Sequence, residues 1–165
     1  MENEFLFEMV EEYFKIHNTG PRKWNFHTFW YWKNLPLKRL KQAREYFAPY
    51  DETLERPLLV MTDNGFGKLF RGILITNIKF YYHLNLNANL LFGIKTTKGI
   101  ISLADMYSID IQYPKSAGAW LLVNGEKEAY IAGYSKGIVD EDEATPFKKA
   151  VNHVLQALHH REPKE

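Results

Sequence analysis

Apolar residues recur at helical spacing near the start of the chain. Leu6, Met9, Val10, Tyr13 and Phe14 share one face, with Glu4, Glu8, Glu11 and Glu12 among them. The pattern predicts a helix capped by Asn3 and ended by Asn18-Thr19-Gly20-Pro21, its early glutamates suiting the positive end of the dipole. A second helix is predicted from Pro36, with Leu37, Leu40 and Phe47 on one face and Pro49 as its stop. From residue 57 the period falls to two. Residues 58–61 form an apolar run closed by Thr62-Asp63-Asn64-Gly65, and 69–75 form another, turned by Thr76-Asn77. Ile78, Phe80, Tyr82 and Leu84 then alternate with Lys79, Tyr81 and His83, the pattern of an antiparallel strand buried on one face.

Residues 90–94 and 100–103 read as two further strands joined by Lys95-Thr96-Thr97-Lys98-Gly99. Ile109, Ile111 and Tyr113 alternate with Ser108, Asp110 and Gln112. Residues 120–123 face Ala129 and Ile131 across Asn124-Gly125, a strong hairpin signal because both turn residues tolerate positive φ. The last element is a helix, with Thr145 as N-cap, Pro146 at the first helical position and Glu141, Asp142 and Glu143 at the positive end. Phe147, Val151, Val154, Leu155 and Leu158 make its apolar stripe, and His159, His160 and Arg161 lie by its negative end. The expected class is α+β: a helical, aromatic-rich extension over 1–55, then an antiparallel sheet of about seven strands and a C-terminal helix over 56–165.

Composition adds exclusions. The 165 residues are 45% hydrophobic, 15% aromatic and 25% charged, with a formal net charge of +1, so global charge selects no partner. The absence of cysteine removes disulfides, thiolate metal sites and cysteine nucleophiles. The acidic Met1-Glu2-Asn3-Glu4 start lacks the basic and apolar regions of a secretory signal, and no stretch reaches the ~20 apolar residues of a membrane span, so a cytoplasmic location is expected.

The segment Gly72-Ile73-Leu74-Ile75-Thr76 runs into Ile78-Lys79-Phe80-Tyr81-Tyr82 as an apolar strand, a Thr and an aromatic strand, and is followed by Gly99-Ile100-Ile101-Ser102-Leu103-Ala104-Asp105-Met106 with Ser108-Ile109 and by Leu121-Leu122-Val123-Asn124-Gly125. These three steps resemble those of bacterial pleckstrin-homology-like and GRAM-like domains. The resemblance covers about 57–160 and implies a PH-like β-barrel plugged by its terminal helix. The rival architecture is an open antiparallel sheet with helices on one face.

Candidate chemistry is sparse. Residues 20–48 carry Arg22, Lys23, Lys33, Lys38, Arg39, Lys41 and Arg44 against Glu45 alone, interleaved with Trp24, Phe26, Phe29, Trp30, Tyr31 and Trp32. Basic charge beside rings suits single-stranded nucleic acid or an anionic surface; equally, six rings over 24–32 are apolar enough to pack the extension onto the sheet. Lys68, Arg71 and Lys79 lie near the first hairpin, where the lipid-binding relatives implied by the resemblance cradle inositol phosphates. The histidines lack metal-ligand spacing, Gly65-Phe66-Gly67-Lys68 lacks phosphate-loop spacing, and no nucleophile elbow or zinc-protease motif is present. The expectation is a non-catalytic domain without metal or cofactor that binds another protein, as an immunity or stress-associated protein would. The alternative is peripheral binding of anionic lipid or single-stranded nucleic acid through 20–48.

Overall fold

The structure, a computed structural model, describes residues 8, 12, 22–24, 27–31, 34–63, 71–85, 95–112, 119–131 and 141–159, with backbone alone at 22–24, 27–29, 31, 63, 131 and 141–146. Along them run β1 (Arg22–Trp24), β2 (His27–Tyr31), α1 (Leu37–Tyr46), β3 (Pro57–Asp63), β4 (Gly72–Thr76), β5 (Lys79–Asn85), β6 (Thr96–Ser102), β7 (Ile109–Gln112), β8 (Ala119–Val123), β9 (Glu126–Ile131) and α2 (Glu141–His159). Every described pairing is antiparallel. Strands β1 to β6 pair in chain order, β7 to β9 form a second meander, and β9 reaches β5 at Asn85↔Tyr130. The result is a curled half-barrel whose far strands, β1 and β7, both come against α2.

The concave face is apolar because period-two alternation points Leu59, Met61, Ile73, Ile75, Phe80, Leu84, Ile109, Ile111, Leu121 and Val123 to one side. Helix α2 fills the curl with Phe147, Val151 and Leu155, each contributing ~1.5–3 kcal/mol by burial. Polar groups on α2 also close the edge of β7. Asn152 accepts the Ile109 N–H (2.8 Å) and donates to the Ile109 carbonyl (2.9 Å), standing in for a neighbouring strand, and Lys148 pairs with Asp110 (2.5 Å). The Asn124-Gly125 turn has φ of 52° and 86°, as a type I′ hairpin demands. Asn124 also accepts the N–H groups of Tyr107 (2.7 Å) and Ser108 (3.2 Å) and donates to the Asp105 carbonyl (2.8 Å).

Several expectations change. Residues 22–24 and 27–31 are strands that extend the sheet beyond β3, where a helical extension with an aromatic link was expected. The first helix lies, apart from Glu8 and Glu12, outside the described residues. Strand β5 is buried on both faces: the region around α1 covers its convex side, packing Ala43, Phe47, Ala48 and Tyr50 on Val60, Leu74 and Tyr81. Leu37 does not join that packing and is 84% exposed. Residues 96–99 belong to β6 rather than to a turn. Gly99 stands opposite Tyr82, and a Cβ there would overlap the tyrosine ring, so the glycine marks a close approach inside a strand. Helix α2 begins at Glu141, so Thr145 and Pro146 lie within it and are neither its N-cap nor its first residue. The 90–94 strand falls outside the described residues.

Candidate functional site

Two polar assemblies lie on the convex side. The first surrounds Glu55, which is 4% exposed. It ends a tight loop in which Asp51 Oδ1 accepts from the Thr53 N–H (2.8 Å) and hydroxyl (2.6 Å). Asn77 clasps the next residue, its Oδ1 accepting the Arg56 N–H (2.7 Å) and its own N–H bonding the Arg56 carbonyl (3.0 Å). The Glu55 carboxylate then accepts from Thr76 Oγ1 (2.8 Å), from the Tyr81 hydroxyl (2.8 and 2.9 Å to its two oxygens) and from Lys79 Nζ (3.2 Å). Burial alone would raise its pKa, but the bonds from Thr76, Tyr81 and Lys79 outweigh burial and hold it below the ordinary value. The Tyr81 hydroxyl is pushed far up, first by burial and then by donating to Glu55. All these donors come from the chain itself, so the carboxylate fastens the loop before β3 to the β4–β5 hairpin.

That geometry changes the meaning of the basic residues. Lys79 is turned inward onto Glu55, and Arg71 donates to Asn85 Oδ1 (2.6 Å). Lys68 and Trp32 lie outside the described residues, while Arg22 and Lys23 are placed in β1 by backbone only. Trp30 packs at the rim of the α1 cluster with the Arg39 guanidinium 5.7 Å from its ring centre, and Arg39 also donates to Gln42 Oε1 (3.3 Å). Lys38 and Lys41 are exposed on α1. Of the ten, Trp30, Lys38, Arg39 and Lys41 lie on or beside α1, while Lys79 and Arg71 are engaged with Glu55 and Asn85. His83 is buried with its ring centre 6.3 Å from that of Phe47, and His159 Nε2 donates to the Met106 carbonyl (2.6 Å) while its ring stacks on Tyr107.

The second assembly is a cleft of about 410 Å³ between the C-terminal end of α1 (Arg44, Glu45, Tyr46, Phe47, Pro49) and β6 (Lys98, Gly99, Ile100). Its rim exposes apolar surface, with Tyr46 43% and Ile100 56% accessible. Lys98 Nζ donates to the Tyr46 carbonyl (2.6 Å), where the helix dipole is negative, and Arg44 pairs with Glu52 (2.6 Å). The cleft is continuous with a strand edge. Leu103 donates to the Ile78 carbonyl (2.8 Å), which sets the phase of the β5–β6 ladder. Alternation then turns the polar groups of Thr97, Gly99 and Ile101 toward β5 and those of Thr96, Lys98 and Ile100 away from it. No described residue pairs with that outer side.

Comparison with family models, with curated proteins and with solved structures gives no match to this chain. The described residues contain no group of three or more metal-ligating side chains, and no described helix is long and apolar enough to cross a membrane. Sequence reading missed Glu55, Tyr46, Lys98 and Ile100 as site residues. For Lys98 a signal existed in Gly99, which within an apolar alternating run marks a strand as readily as a turn. For Glu55 there was none, because its donors Thr76, Lys79 and Tyr81 lie 21 to 26 positions away.

Proposed function

We propose that this is a non-catalytic domain that binds another protein, and that the α1–β6 cleft is where the partner sits. The observation that carries the reading is the exposed apolar pair Tyr46 and Ile100, rimmed by Lys98 and Arg44, in a concave surface of about 410 Å³. The buried ionisable groups support it as well: the Glu55 carboxylate is committed to Thr76, Tyr81 and Lys79, and the Tyr82 hydroxyl donates to Glu128 (2.9 Å). Kinship with the PH-like barrel is part of the proposal. Its support is the order of elements from Pro57, a four-strand meander, a three-strand meander and a closing helix.

A second reading, peripheral binding to anionic lipid or single-stranded nucleic acid, draws on the exposed Leu37, Lys38 and Lys41 of α1. The ring of Trp30 packed beneath Arg39 favours the first, since stacking on bases needs an accessible face. The test compares wild type with Ile100→Asp in affinity capture from cells that produce the protein, with flotation on phosphatidylserine vesicles and a salt titration against a single-stranded oligonucleotide. A partner retained by wild type and lost from the variant, at an unchanged urea midpoint, supports the proposal. Equal retention by both proteins, or steeply salt-dependent binding to vesicles or oligonucleotide in place of a protein partner, overturns it.

A further inference from the structure

Building on the protein-binding reading, we infer that the partner enters as an extended acidic segment that adds a strand to the outer edge of β6. Thr96, Lys98 and Ile100 send their N–H and C=O groups away from β5 at two-residue spacing, and no described residue receives them. A strand edge without a described partner is a template for an incoming strand, which gains affinity from main-chain hydrogen bonds and selectivity from alternate side chains.

The side chains beside the edge state what would be selected. Residues that pair directly across a ladder share a face. Lys98 and Ile100 lie on the convex face, opposite His83 and Tyr81, where the α1 cluster packs. A segment with an acid facing Lys98 and, two residues on, an apolar side chain facing Ile100 would complement both. The exposed Lys95 adds positive charge at the start of β6, Arg44 across the cleft is already paired with Glu52, and Tyr46 extends the apolar rim. The two exposed lysines of the edge, Lys95 and Lys98, therefore favour an acidic strand over a basic one, and the cleft opens on the convex face that such a strand would share.

Amide hydrogen exchange on the 165-residue chain tests this, with acetyl-Ser-Thr-Glu-Thr-Ile-Thr-Ser-amide as probe and its Lys-for-Glu counterpart as control. In the free protein, the Lys98 and Ile100 amides exchange fast and those of Gly99 and Ile101 slowly; slow exchange at all four means the edge is already paired and overturns the inference. The acidic peptide should slow Lys98 and Ile100 in a saturable manner, and the basic peptide should bind about tenfold more weakly. Lys98→Pro removes an outward N–H without touching the β5 ladder and should abolish the effect. Ile100→Glu, which keeps the backbone intact, should weaken the acidic peptide similarly. Equal protection by both peptides, no protection, or protection surviving both variants refutes strand addition. If the peptides fail while Ile100→Asp still loses a captured protein, the cleft binds its partner by another mode and the broader reading stands.

Discussion

Replacing Glu55 by Gln tests whether the buried carboxylate works as a charged unit. Its side chain is 3% accessible, and it gathers three donors on two oxygens. Hydrogen bonds to a charged acceptor contribute ~1.5–3 kcal/mol each. Gln keeps the shape but leaves one carbonyl oxygen, and its amide N–H2 must face at least one of Thr76, Tyr81 and Lys79, all donors to the carboxylate in wild type. One charged bond is lost and one unfavourable pairing made. The Lys79 side chain is 42% accessible and can turn to water, so the loss stays below the ~3–5 kcal/mol of breaking a fully buried pair. Glu55→Gln should therefore destabilise by ~2–4 kcal/mol at neutral pH, or about 2–4 °C per kcal/mol for a chain of this size. Urea unfolding followed by tryptophan fluorescence across a pH series measures it. Because the folded pKa lies below the ordinary 4.5, the stabilisation is complete above about 4.5 and is lost as pH falls through the folded value. The gap between wild type and variant must narrow in acid. A variant within ~0.5 kcal/mol of wild type at neutral pH with the same denaturant slope, or a gap that widens in acid, would refute the reasoning.

Other outcomes follow from the same structure. Gly99→Ala should destabilise by ~1–3 kcal/mol through overlap with the Tyr82 ring, and Tyr82→Leu in the same chain should recover part of the loss in urea titrations. Asn152→Leu should free the edge of β7 at Ile109, costing ~1–3 kcal/mol and speeding hydrogen exchange at the Ile109 amide, with less effect on the Asn124 turn. In alkali, the Tyr82 hydroxyl is pushed up to about 12 by burial and by Glu128, with Tyr81 shifted in the same direction. The Tyr82 contribution to stability is full below 10.0 and lost as pH rises from there through about 12, and that of Tyr81 is lost at higher pH still. Absorbance titration of tyrosinate should show the late-ionising groups, one fewer in Tyr82→Phe.

The sequence by itself determined what is local. Alternation of apolar and polar residues placed β3, β4, β5 and β7, Asn124-Gly125 specified the type I′ turn, and the stripe on α2 marked the face that fills the curl. Such signals act over a few residues, because strand period, positive φ and helical spacing are properties of the backbone itself. Tertiary structure decided which polar faces were buried. The Lys79, Tyr81 and His83 row reads as a wet strand face, yet α1 and the loop carrying Glu55 cover it. Whether a lysine meets water or a buried carboxylate depends on a segment 24 positions away. The same holds for the cleft, which unites residues 44–49 with 98–100, and for the edge of β6, left without a described partner by the way the sheet curls. Alternation fixes which side chains share a face, and only the packing of distant segments fixes what that face meets.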